Sequence, residues 1–393
     1  MSIKMQKTTI SSVNFADTKP HYELLDGLRG VAAILVLFYH IFEGFAFAEG
    51  VDGAGDGIIR TLNHGHIAVD FFFILSGFVI SYAYDKRWSE GKFTLQKFFK
   101  RRLIRLHPMV IFGAVVGVVT FFISGREQWG GEQSSFGAVI LAFIFASVMI
   151  PAYPGARYDV RGNGEMFSLN GPTWSLFFEY IGNILYALFI RKFSDRLLKR
   201  FTIVLALCWI VYAVGNFSGY GSMGVGWTLD WTNFTGGMIR MLFPFSLGMF
   251  LSRTFKPLKV TSPFWWCSLI LISVFAVPYI PRGDLIIYNG IYEALCVIVI
   301  FPTVVLIAAS GDTKNHFTAR FNSFLGDLSY PLYVVHYPIM YLFYKWCIEN
   351  EVYFIENCWY QAFIVLGLSL LLAFLALRLF DMPLRKYLLN NKK

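Results

Sequence analysis

Arg29 and His40 lie in one apolar stretch, Leu24-Leu25-Asp26-Gly27-Leu28-Arg29-Gly30 followed by Val31 to Tyr39. Ionisable side chains are costly in lipid, so those that occur there are functional candidates. Eleven positions make nearly three turns of helix and about 16 Å of axis, so the two side chains share a face at different depths. A guanidinium binds phosphate through parallel N–H donors. An imidazole, titrating near neutral pH, can take the proton of a hydroxyl as a general base.

Other ionisable residues can be placed by depth. His40 is some sixteen residues into its span. Glu179, in Trp174-Ser175-Leu176-Phe177-Phe178-Glu179, is about five residues into a span running the other way, and Asp70 enters its own span at a comparable depth. His336 is nearer mid-membrane. A histidine with carboxylates at one level has the composition of a base with an orienting partner. The plainer alternative is a buried polar network that holds helices together. Glu43, one turn after His40, is expected to face the outer surface and is left out of the site.

At the other end, Arg102 and Arg105 are three apart on one helical face, just before a span that Pro108 is expected to open. Alone they would read as a positive-inside anchor. Arg29, buried on the same side and on the His40 face, turns the three into a cationic mouth. A ligand with a phosphate head and a long thin arm would bridge that mouth and His40, and coenzyme A has this shape.

The elements that hold these residues are membrane spans. Of 393 residues, 56% are hydrophobic and only 15% charged, with a mean hydropathy of +0.54, well to the apolar side of soluble usage. The formal charge of +9 does not indicate nucleic acid, because the basic residues sit between apolar spans as orientation signals do. Five cysteines without a CxxC pair argue against zinc and thioredoxin-like chemistry, and no metal is expected. Cys208, Cys267 and Cys296 read as packing residues, whereas Cys347 and Cys358 fall at the ends of adjacent spans where a bridge is conceivable.

Long apolar windows near 24–45, 66–84, 108–124, 174–190, 202–218, 238–252, 264–280, 288–310, 324–346 and 359–380 predict an all-α polytopic protein with about ten transmembrane helices. Basic clusters at 86–105, 191–200, 253–259 and the C-terminus are assigned to the cytoplasm. The even number of crossings between the first two then makes 136–150 re-entrant or interfacial. Both termini fall inside, with a tail at 1–21, a membrane domain at 22–387 and a tail at 388–393. No cleaved signal peptide is expected. Long outer connections are expected at 46–65 and 125–173, with a shorter one at 219–237, and loops of such length are often functional.

Together these residues make the chain resemble the acyltransferase 3 family of integral membrane acyltransferases. The likeness runs from about Tyr22 to about Tyr387 and rests on short elements in order: Arg29 with His40; Phe72, Phe73, Ser76, Gly77 and Phe78; Arg102 with Arg105; Trp174 to Glu179; and Ser329, Tyr330, Tyr333 and His336. The resemblance implies O-acylation of an extracytoplasmic carbohydrate, often acetylation, from cytoplasmic acyl-CoA. It implies His40 as base, Glu179 in support, and Arg29, Arg102 and Arg105 on the donor. Asp70 is grouped with the catalytic residues, and Trp174, Ser76, Tyr333 and His336 with substrate binding or support. Some relatives act on small hydroxylated molecules instead.

The expectation is therefore a multi-pass O-acyltransferase of the plasma membrane. The rival is a transporter or flippase for an anionic solute, with Arg29, His40 and Glu179 as a relay. The two halves show no matched pair of Gly/Pro-interrupted spans, which repeat-built transporters carry. A di-iron desaturase would need histidine clusters, and of seven histidines only His64 and His66 are close together.

Overall fold

Small polar caps write several of the helix starts in this chain. In the computed structural model, which describes residues 22–51, 63–219, 221–258, 260, 263–280, 284–311 and 316–390, α1 (Glu23–Val51) places Glu23 and Asp26 in its first turn, where the helix dipole favours acids. A short 3-10 turn capped by Asn63 leads into α2 (Ala68–Ser89). Thr94 caps α3 (Leu95–Ile123) and Ser135 caps α4 (Phe136–Ser147), each accepting a backbone N–H at 3.2 Å. α5 (Thr173–Leu188) follows, then α6 (Asp195–Val214) capped by Ser194 and α7 (Trp231–Thr254) capped by Asp230. After α8 (Pro263–Phe275), a π-turn at Cys296–Ile300 joins α9 (Ile287–Leu295) to α10 (Phe301–Ser310). The chain ends with α11 (His316–Glu349), α12 (Trp359–Leu375) and α13 (Met382–Asn390). Among the described residues there is no strand, only isolated bridges such as Glu165 with Thr228.

Eight of the described helical stretches are long and apolar enough to cross a membrane, against the ten expected. The window at 264–280 yields only the 13-residue α8. At 34 residues α11 is long enough, but it is not among the eight. It lies inside the bundle between α1, α3 and α12, so its faces are selected for packing and polar chemistry instead of lipid contact. The 12 residues of α4 span about 18 Å, short of the roughly 30 Å hydrocarbon core. Pro108 does not open a span: α3 starts at Leu95 and runs through it, so Arg102 and Arg105 sit inside the helix. The expected 219–237 connection is shorter, because α7 begins at Trp231. The tail at 1–21, most of the 46–65 connection and residues 391–393 lie outside the described residues.

The α1–α11 seam is close because glycine lines it. A Cβ on Gly30 would stand 2.5 Å from the Leu325 carbonyl oxygen, and one on Gly326 2.5 Å from Asp26 Cβ. Small residues let membrane helices approach in this way. Exposed side chains on α6 (Ile203, Val204, Leu207, Val211) and α12 (Phe363, Ile364, Leu368, Leu371) leave an apolar periphery.

The basic clusters gather at one end of the bundle, with the start of α1. Tyr22 meets Tyr82 at 4.8 Å and Phe255 at 6.4 Å between ring centroids. Arg253 pairs with Asp85 at 2.7 Å, and the Arg191 guanidinium lies 4.0 Å from the Trp88 ring centroid. Arg29, Arg105 and Arg385 fall within electrostatic range of one another. This is the Arg29 end, and the opposite one is the His40 end.

At the His40 end the segment 148–172 is a packed cap. Val160, Arg161, Met166, Phe167 and Leu169 are buried. The Arg161 guanidinium lies 3.6 Å from the Tyr341 ring centroid and 4.8 Å from that of Phe121. Pro338, inside α11, has no N–H to give the carbonyl of Val334 four residues back. The side-chain amide of Asn170 donates to that carbonyl instead, at 2.8 Å. All five cysteines are free, Cys347 and Cys358 included, and Cys208 is exposed on α6 instead of packed inside.

Candidate active site

His40 projects from α1 into the α1–α11 seam, with its Nδ1 2.7 Å from Glu43 Oε2. A carboxylate only accepts, so Nδ1 carries the proton and the neutral ring keeps its lone pair on Nε2. Nε2 has no partner among the described residues, and the side chain is 13% exposed. Glu43 also accepts from the hydroxyls of Tyr344 at 2.8 Å, Tyr337 at 3.3 Å and Tyr39 at 3.4 Å. The carboxylate expected to face the surface is thus the one that orients the histidine. Its place three residues after His40, one turn on, was the available signal, and Tyr337, Tyr341 and Tyr344 on one stripe of α11 was a second.

His336 stacks near His40, 5.2 Å between ring centroids. Its Nδ1 donates to the Leu332 carbonyl at 2.9 Å, leaving a buried Nε2 without a partner. The Tyr333 hydroxyl meets Ser175 Oγ at 2.7 Å, which ties α11 to the start of α5.

Glu179 and Asp70, expected beside His40, are bonded elsewhere. Glu179 pairs with Arg102 at 2.6 Å and accepts from Ser76 at 3.1 Å, joining α5, α3 and α2. It lies within electrostatic range of Arg29. Asp70 is fully buried on α2 and pairs with Arg240 of α7 at 2.7 Å, a second guanidinium nitrogen reaching it at 3.2 Å. Arg240 also donates to the carbonyls of Val225 and His66, and Trp174 lies 5.2 Å from its guanidinium carbon. Asp70 is therefore a neutralised helix tie. Its depth matched that expected of a catalytic carboxylate, and Arg240, distant in sequence, could not be matched to it. Beside it, Glu293 takes His66 at 3.0 Å and the backbone N–H of Met223 at 2.7 Å.

At the far end of the seam Arg29 donates to Ser329 Oγ at 2.8 Å and to the Gly326 carbonyl at 2.9 Å, and pairs with Asp26 at 3.0 Å. Arg102 is committed to Glu179. Arg105 has no hydrogen bond or ion pair among the described residues, and Arg385 pairs with Asp381 at 2.7 Å. The seam is a lane with free guanidinium capacity at one end and an oriented imidazole about three turns away, with buried apolar residues such as Ala33, Val36, Leu332 and Val335 between them.

An acyltransferase-domain profile, acyltransferase 3, matches residues 22–378. The chain belongs to the acyltransferase 3 family. It is a multi-pass membrane acyltransferase. It is 32% identical to a protein of the picA locus of Rhizobium radiobacter over 49% of this chain and 92% of that one. It is 26% identical to the peptidoglycan O-acetyltransferase OatA of Listeria monocytogenes and 25% identical to the O-acetyltransferase OatA of Staphylococcus aureus, each over 92% of this chain. The chain spans 55% and 57% of the lengths of those two relatives. No solved structure matches it. In this acyltransferase several residues that carried the resemblance surround the two ends: Ser76 and Glu179 meet Arg102, Ser329 meets Arg29 and His336 lies beside His40, while Tyr333 meets Ser175 and Trp174 packs on Arg240.

Proposed function

We propose that this acyltransferase moves an acetyl group from cytoplasmic acetyl-CoA to a hydroxyl of an extracytoplasmic acceptor, a cell-envelope or exported glycan, in the plasma membrane. The observation that carries the reading is the His40–Glu43 pair with Nε2 left free, in one lane with Arg29 and Arg105. In this reading the Arg29 end faces the cytoplasm and the phosphates of the donor sit at Arg29 and Arg105. The pantetheine arm reaches from that end in the direction of the α1 axis and brings the thioester carbonyl to His40. Nε2 takes the acceptor proton as the hydroxyl oxygen attacks that carbonyl. The tetrahedral intermediate then collapses, the C–S bond breaks, and the imidazolium returns its proton to the departing thiolate. Glu43 holds the tautomer and stabilises the imidazolium, as the carboxylate of a hydrolytic triad does. Glu179 supports this indirectly, by holding Arg102 and Ser76 between the two ends. The OatA relatives make peptidoglycan the first acceptor to try.

Incubation of the purified protein with labelled acetyl-CoA and a panel of envelope glycans tests the reading. Label in a glycan supports it, and a protein that transports an anionic solute without cleaving the thioester would overturn it. Arg105→Ala is expected to raise the KM for acetyl-CoA by about 10-fold or more with little change in kcat, since a charge-assisted contact is worth about 1.5 to 3 kcal/mol. An unchanged KM would return Arg105 to an ordinary positive-inside role. For the orientation, a cysteine at the exposed Arg157 position should react with an impermeant maleimide on intact cells. Reaction only after lysis would invert the topology.

A further inference from the structure

A second buried carboxyl stands on the far side of the tyrosine stripe. Glu165 lies in the 148–172 cap and is buried. It accepts a hydrogen bond from the Tyr341 hydroxyl, and the Tyr341 oxygen in turn accepts the Gly171 N–H at 3.1 Å. The Tyr341 ring meets Tyr337 edge-on at 4.7 Å, and Tyr337 meets the His40 ring edge-on at 4.7 Å while donating to Glu43. Gly171 is where this layer closes: a Cβ there would stand 2.7 Å from the Tyr337 ring and 3.1 Å from Glu165 Oε1.

We propose that Glu165 is a positioning residue for the His40–Glu43 pair, holding Tyr341 and through it the Tyr337 ring and hydroxyl that fix the imidazole and its carboxylate. The proposal rests on His40 acting as the base. It gives the cap a role in the chemistry: it is clamped to α11 through a residue that reports on the reacting face.

The charged and titratable groups around Glu165 make the clamp sensitive to pH. From its own segment it faces Arg161, with Asp159 turned to the backbone of Gly162 and Gly164. From α11 it faces Tyr341, with Tyr337 one turn away, and from α1 it feels Glu43. From the 221–230 stretch it meets Thr228, whose hydroxyl is taken by Asp230. Burial pushes the Glu165 carboxyl up to about 7, against the Tyr341 hydrogen bond and Arg161, which favour its charged form. It is therefore neutral below that pH and charged above it. In the charged state it takes the Tyr341 hydrogen bond and the Arg161 charge more strongly, so the clamp tightens above that pH and slackens below it.

Transfer of label from acetyl-CoA to the glycan that turns over is measured from pH 5.5 to 9 for wild type, Glu165→Gln and Tyr341→Phe. Gln keeps the size and the acceptor oxygen but cannot ionise. Wild-type kcat should rise through about pH 7 as Glu165 ionises, Glu165→Gln should lack that part of the rise and stay near the acid-side value, and Tyr341→Phe should lower kcat by up to about 100-fold at unchanged KM for acetyl-CoA, as misplacement of a reacting group does. Superimposable profiles for wild type and Glu165→Gln, or an unchanged kcat in Tyr341→Phe, would overturn the proposal. A second readout needs no activity. In a Cys208→Ser background, the maleimide reactivity of a cysteine at the buried Ala156 position, taken relative to one at the exposed Arg157 position at the same pH so that thiol ionisation cancels, should fall above about pH 7, and that fall should vanish with Glu165→Gln. Should His40→Ala retain full transfer, the functional reading fails by itself, whereas the labelling decides the clamp in either case.

Discussion

His40→Ala is expected to abolish acyl transfer, by about 10²- to 10⁴-fold, the usual cost of losing a positioned base. Acetyl-CoA binding should persist, because the proposed phosphate site at Arg29 and Arg105 is at the other end of the seam, with Arg29 about 16 Å along the helix from His40. Glu43→Gln should fall in the same direction by less, since the glutamine oxygen still accepts from Nδ1 but no longer stabilises the imidazolium. Both are read as kcat for transfer beside a direct measurement of acetyl-CoA affinity on folded, membrane-inserted protein. Wild-type turnover in His40→Ala would remove the mechanism.

Arg240→Ala should be the most destabilising single change in the chain. It strips the partner from a fully buried carboxylate, which typically costs about 3 to 5 kcal/mol. It also frees the carbonyls of Val225 and His66. The expected result is a much shorter half-life on heating in detergent, the appropriate measure for a protein that unfolds irreversibly. Replacing both members, Asp70→Leu with Arg240→Met, should restore much of that loss, because two packed apolar chains leave no orphaned charge. A double variant as labile as the single one would show that the carbonyl contacts of Arg240, not its pairing with Asp70, hold α2 to α7.

The helical class and the two ends of the lane were legible in the sequence, because Arg29 and His40 share an uninterrupted helix and their relative placement follows from geometry alone. The partners of the carboxylates were not. Depth along a span constrains one coordinate, and Asp70, Glu179 and His40 can share a level while facing different neighbours around the bundle. Which neighbour each meets depends on how α2, α3, α5 and α7 are arranged. Glu43 is the opposite case. It was local enough to find, and it was set aside by assuming that a carboxylate near a span end turns to water, when two tyrosine hydroxyls on α11 and one on α1 give it better company. By length and hydropathy eight helices qualify against the ten expected, and α11 drops out for a related reason. Hydropathy reports what touches lipid, and a helix enclosed by protein is free to be polar.

Pro338 makes the cap of this enzyme exchangeable. The bundle offers it the Val334 carbonyl, left open by the missing proline N–H, as a socket that asks for one amide donor and specifies little else. A transplanted segment would need a side chain like Asn170 at that point, a glycine where it passes Tyr337, and Arg161 and Glu165 against Tyr341, while exposed positions such as Tyr153 and Arg157 could be rewritten for a different acceptor. Acceptor range could thus be engineered by grafting loops onto an unaltered bundle.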